Sequence, residues 1–159
     1  MTVVVAGGTG LAGSAIVRAF EKSGADVIGV NRSVVDLLDR EATIAYVKKI
    51  KPSIIVDAAA KVGGIGANNT FPVEFLVDNT RIQSNLMEAA HAAEVERFVF
   101  LGSSCIYPRD CAQPIKEEYL LTGPLEQTNS AYAVAKIAGI ELIKSYRKEY
   151  NHRWISLMP

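Results

Sequence analysis

The sequence predicts a doubly wound α/β domain, an open and mostly parallel sheet with helices on both faces. Three observations carry that expectation: short β-branched apolar runs recur along the chain, segments of helical period separate them, and a glycine-rich turn joins the first run to the first helix. Val3 to Ala6 reads as the first strand. Leu11, Ile16, Val17 and Phe20 follow at helical spacing, and Val27 to Val30 closes a strand-helix-strand unit. Glu41 to Lys49, Pro72 to Ala93 and Ser130 to Tyr150 have helical period and length; Ile54 to Val56 and Phe98 to Leu101 continue the strands, and Trp154 to Leu157 opens a fifth. Strands alternating with helices imply right-handed crossovers, hence parallel pairing.

The bulk numbers fit one globular domain: 159 residues, 49% hydrophobic and 21% charged. Seventeen Lys and Arg balance seventeen Asp and Glu, with no block of one sign, so neither nucleic acid nor a membrane surface is an expected partner. The first apolar run is too short for a signal peptide, and no window approaches the ~20 apolar residues of a membrane span. A cytoplasmic protein is therefore expected, with Cys105 and Cys111 as free thiols rather than a disulfide. His91 and His152 lie far from both cysteines in sequence and are expected at the surface, so no metal site is predicted. The chain stops at Met158-Pro159 directly behind an apolar strand, which predicts that residues 1–159 are the first part of a longer enzyme whose C-terminal substrate domain is missing.

Gly7, Gly10 and Gly13 have the spacing Gly-x-x-Gly-x-x-Gly after the first strand. Such glycines let the backbone turn tightly, approach a pyrophosphate and pack helix on strand, with the phosphates on the N-terminus of a helix. A merely tight turn is the alternative. With Leu11 they form the phosphate end of a Rossmann-type dinucleotide site. The second strand ends Val30-Asn31-Arg32-Ser33, with an arginine where users of NAD place a carboxylate; Arg32 argues for NADP(H), unless it is only a solvated loop residue. Asp36 and Leu37 lie where a carboxylate meets an adenine amino group. Ala58, Ala59 and Ala60 end the third strand with side chains small enough for a cofactor to pass.

Tyr132 and Lys136, at i and i+4, share one helix face; a nearby ammonium is expected to lower the phenol's pKa and make Tyr132 a usable general acid or base. Gly102 to Pro108, "GSSCIYP", could by itself be a turn of small polar residues, and Cys105 a small buried hydrophobe. Together with the glycine spacing and Tyr-x-x-x-Lys, however, this turn resembles the extended short-chain dehydrogenase/reductase superfamily. That resemblance implies that Ser103, with Ser104 beside it, hydrogen-bonds the substrate oxygen that Tyr132 protonates, and that Lys136 also holds the nicotinamide ribose.

Residues 61–70, "KVGGIGANNT", the "SSCIYP" stretch, Leu120 to Asn129 and Tyr132 to Gly139 narrow the resemblance to the GDP-L-fucose synthase family, across essentially the whole chain. It implies NADPH-dependent 3,5-epimerisation and 4-reduction of GDP-4-keto-6-deoxy-D-mannose, with a homodimer formed through the two long helices. Tyr132 and Lys136 would contact both cofactor and substrate, and Cys105 would be an epimerisation acid/base whose histidine partner lies beyond residue 159 in the family. A thiol suits that task once a cation or helix terminus favours the thiolate. Two departures stand out: Thr9 occupies a position where relatives carry a basic residue, and Gln127 replaces a proline, which predicts a looser loop. Two other readings remain open, a different nucleotide-sugar epimerase, dehydratase or reductase, and a non-catalytic dinucleotide-binding module.

Overall fold

A computed structural model describes residues Met1–Pro159. Its five strands, β1 (Thr2–Ala6), β2 (Asp26–Val30), β3 (Ile54–Asp57), β4 (Arg97–Leu101) and β5 (Ile155–Leu157), form one parallel sheet in the order β2-β1-β3-β4-β5. The helices are α1 (Leu11–Lys22), α2 (Arg40–Ile50), α3 (Ile65–Thr70), α4 (Pro72–Ala92) and α5 (Ser130–Tyr150). This is the doubly wound fold that the alternation predicts.

Successive strand residues face opposite sides, so Val4, Ala6, Ile55, Phe98 and Phe100 join the larger cluster packed by α2, α4 and α5. Val3, Val5 and Val56 face the other way and meet Ile16, Val17 and Phe20 of α1. Cover on both faces explains the unbroken apolar run of β1, buried from Val3 to Ala6.

Local chemistry sets the helix ends. Asp39 caps α2 by accepting the Ala42 N–H at 3.0 Å, and Pro72 occupies the first turn of α4, where a missing N–H costs nothing. One helix is absent from the sequence expectation. In α3 there is no apolar period to see, because Asn68 holds the turn by donating from Nδ2 to the Gly63 and Gly64 carbonyls. At Gln127, residues 127–129 form a 3-10 turn closed by Glu126 on the Thr128 N–H and hydroxyl.

The order 2-1-3 places the topological switch point between β1 and β3, where crossovers depart to opposite faces and leave a crevice at the strands' carboxyl ends. The glycine turn, Asn31 to Asp36 and Ala58 to Lys61 all emerge there.

Candidate active site

The crevice is a groove of about 680 Å³ lined by Gly7, Gly10 and Leu11, by Arg32, Asp36 and Leu37, and by Ala58, Ala59 and Ala60. That size lies within the range of small-molecule sites. Gly7 has a left-handed φ of 73°, and a Cβ on it would come within 2.7 Å of the Ala58 carbonyl oxygen. Gly10 donates to the Gly7 carbonyl at 2.9 Å and then caps α1 without a side chain, which leaves first-turn N–H groups of that helix without partners. A backbone cradle with free donors and no side chains is what a pyrophosphate needs, so these residues fit a dinucleotide. Gly13 does not line the groove. It lies buried behind the turn, where a Cβ would be 2.0 Å from the Gly7 oxygen, so it lets α1 pack closely on the turn.

Beyond β2, Arg32 is exposed and pairs with Asp36 at 3.0 Å. The other Asp36 oxygen accepts the Leu38 N–H at 3.1 Å. Asp36 therefore holds Arg32 at the rim of the groove rather than standing apart from it.

β4 leads into the second half of the site. Gly102 donates to the Leu157 carbonyl at 2.8 Å, and Ser103 then accepts the Cys105 N–H at 3.3 Å, opening a 3-10 turn over Ser104–Ile106 that buried Ile106 anchors. Ser104 is exposed, while Ser103 and Cys105 are half-buried. Tyr132, in the first turn of α5, completes the group: burial pushes its phenol above the usual range, the Ser103 hydroxyl pulls it back, and Cys105 adds a smaller upward push. Ser103, Cys105 and Tyr132 thus act on one another. Both cysteines are free thiols.

Lys136 departs from expectation. Its ammonium is not among the groups acting on Tyr132, and the phenol lies above its ordinary value instead of below. Nζ instead donates to the Leu101 carbonyl at 2.9 Å and lies 4.6 Å from the centre of the Phe100 ring, with the residue only 3% exposed. The phenol loses more by burial than the site returns. Burial lowers the lysine's own pKa, and Asp57 raises it.

Two groupings escaped the sequence. Asp57 is fully buried at the end of β3, and burial pushes its carboxyl up to about 6 against a downward pull from Lys136 and the Ala59 N–H. An acid closing an otherwise apolar β-run was the available signal. The two histidines are not separate surface residues: His91 Nδ1 and His152 Nε2 lie 2.8 Å apart, and His152 stacks on buried Trp154 with ring centres 4.2 Å apart. The ends of α4 and α5 bring them together, with Tyr146 and Tyr150 alongside.

Comparison with known proteins places these features. The chain is 50% identical over 155 residues to the GDP-L-fucose synthase of Sinorhizobium fredii, covering 98% of this chain and 49% of that protein. It is 46% identical over 158 residues to the GDP-L-fucose synthase of Escherichia coli, covering 99% and 49%. Among solved structures, a GDP-mannoheptose C4 reductase from Campylobacter jejuni with NADP bound superposes with a TM-score of 0.94 at 32% identity, over 99% of this chain and 50% of that one. The chain thus spans about half the length of these relatives. A family model described as the NAD dependent epimerase/dehydratase family matches residues 3–159, and the chain belongs to that family.

Proposed function

We propose that residues 1–159 are the NADP(H)-binding domain of an enzyme that epimerises GDP-4-keto-6-deoxy-D-mannose at C3 and C5 and reduces it at C4 to GDP-L-fucose. The observation that carries the proposal is the grouping of Ser103, Cys105 and Tyr132 beyond β4, the strand next to the β3 end of the groove. Half-chain identity with two GDP-L-fucose synthases supports it, and Arg32 at the groove supports NADP(H) over NAD(H).

NADPH supplies the hydride for C4 when bound. The chain's own residues manage the protons. A phenol above its usual range stays protonated at neutral pH, so Tyr132 Oη can give a proton to the C4 oxygen while the Ser103 hydroxyl orients that oxygen. Lys136 holds the nicotinamide ribose. Cys105 Sγ exchanges a proton at C3 or C5, carbons that the 4-keto group acidifies. The likeness to the C. jejuni C4 reductase favours a second reading, reduction of another GDP-sugar, in which Cys105 moves no proton.

No helix is long and apolar enough to cross a membrane, and the enzyme would work in the cytoplasm. It would act as a homodimer, since α4 and α5 with the residue before them leave Phe71, Val73, Leu76 and Val134 exposed.

Titration of NADP+ and NAD+ against the chain and its Arg32→Ala variant tests the cofactor reading. NADP+ should bind more tightly by about tenfold, the scale of one charge-assisted contact, and the variant should lose that preference. Equal affinities in the parent chain would sink it. Fused to the C-terminal half of the S. fredii relative, Cys105→Ser should stop deuterium entering C3 or C5 while reduction persists; undiminished exchange would favour the second reading.

A further inference from the structure

Asp57 is a buried titratable group to which neither the binding groove nor the proton chemistry assigns a task. It ends β3 between Ala6 of β1 and Phe100 of β4, and its register puts it on the sheet face that α2, α4 and α5 cover. Oδ1 accepts the Ala59 N–H at 3.1 Å, whereas Oδ2, also buried, meets no donor of the protein. A buried acceptor left open is costly, and a charged one more so.

The same face holds a second incompletely bonded charge. Lys136 Nζ has three donors, yet its one hydrogen bond is to the Leu101 carbonyl. It lies over Phe100, the residue paired with Asp57 across the strands. Gly139, one turn further along α5, lets that ring sit close: a Cβ there would be 2.5 Å from the Phe100 Cζ. The two groups act on each other, Lys136 pulling the carboxyl down and Asp57 pushing the ammonium up, each against its own burial. Lys136 is the only charged group that acts on Asp57. Ala6 and Phe100 on the flanking strands carry no charge, and the buried polar residues of α2 and α4, Thr43, Asn79, Gln83 and Asn85, are neutral.

We propose that Asp57 is the counter-charge of Lys136, a positioning residue that keeps this lysine charged in its buried seat so that it can meet the bound cofactor. The proposal rests on the reading of Lys136 as the residue that holds the nicotinamide ribose. Without Asp57 the ammonium loses its one upward push and gives up its proton at lower pH. The defect should therefore grow with pH and fade in mild acid, where the Asp57 carboxyl takes up its own proton and the parent loses the counter-charge too.

The experiment measures NADP+ affinity at pH 6 and pH 9 for the parent chain, Asp57→Asn, Lys136→Met and the double variant, with the Asp57 carboxyl followed by 13C NMR in the parent and in Lys136→Met. Asp57→Asn should match the parent at pH 6 and bind about tenfold more weakly at pH 9, the scale of one hydrogen bond to a charged group. In the Lys136→Met background it should change nothing further. The carboxyl should titrate near pH 6 in the parent and higher in Lys136→Met. An equal loss at both pH values, no loss at pH 9, or the same carboxyl midpoint in both proteins would overturn the proposal. If the parent binds no NADP+ at all, the cofactor reading fails, and the carboxyl titration still decides whether the two charges are coupled. It decides equally if Asp57→Asn does not fold.

Discussion

At the β1 end of the candidate site, Gly7, Gly10 and Gly13 omit side chains; at the β4 end, Ser103, Cys105 and Tyr132 are half-buried and Lys136 is buried. In the proposed function the first end would work through backbone donors and close approach, so its tolerance would be set by volume. The second would work through hydroxyl, thiol and ammonium groups, so its tolerance would be set by chemistry, and isosteric changes should leave its shape intact. The contrast predicts that adding atoms breaks the first end and that removing them silences the second.

The largest effect should come from Gly13→Ala. The new methyl would lie 2.0 Å from the Gly7 oxygen, with backbone rather than a flexible side chain in its way. Overpacking of this kind costs about 1–3 kcal/mol, and here the strain should be released by displacing the turn proposed to cradle the phosphates. Calorimetry should find NADP+ binding lost together with a lowered melting temperature; normal binding would show that the turn is not the phosphate site. Tyr132→Phe comes next. In the fusion described above, reduction should fall by roughly 10²–10⁴-fold, the value of one general acid, with NADP+ affinity nearly unchanged. A comparable loss of affinity would mean that this end, too, is governed by shape. The smallest effect belongs to the rim beyond β2. Asp36→Asn should release Arg32 from its ion pair and tighten NADP+ by about two- to threefold, since exposed pairs are worth under about 1 kcal/mol. Weaker binding would mean that Asp36 serves the cofactor directly.

The first end was almost fully legible. Glycine spacing and small residues are readable in one dimension, because what matters is the missing side chain, and the predicted groove residues come from the three segments that follow β1, β2 and β3. The second was legible only in part. Tyr132 and Lys136 share a helix face as their spacing requires, yet the direction of the lysine depends on Phe100 and Leu101, residues about 35 positions away whose approach no local period reveals. A longer separation, 61 positions, hid the partnership of His91 with His152, which depends on the packing of α4 against α5. Helix α3 was hidden for the opposite reason: it is held by one asparagine rather than by an apolar stripe.

The strand order carries a consequence for how the molecule is made. β2 pairs with β1, β3 with the other edge of β1, β4 with β3, and β5 with β4. Every strand after the first therefore docks on one that has already left the ribosome, and none has to wait for a partner still to be synthesised. Chains emerge at about 5–20 residues per second, slowly enough for each crossover to close before the next strand appears. The nascent sheet grows outward in the direction of translation after its first pair, and until the next strand arrives the newest one presents a single unpaired edge for a chaperone or a neighbouring nascent chain to find.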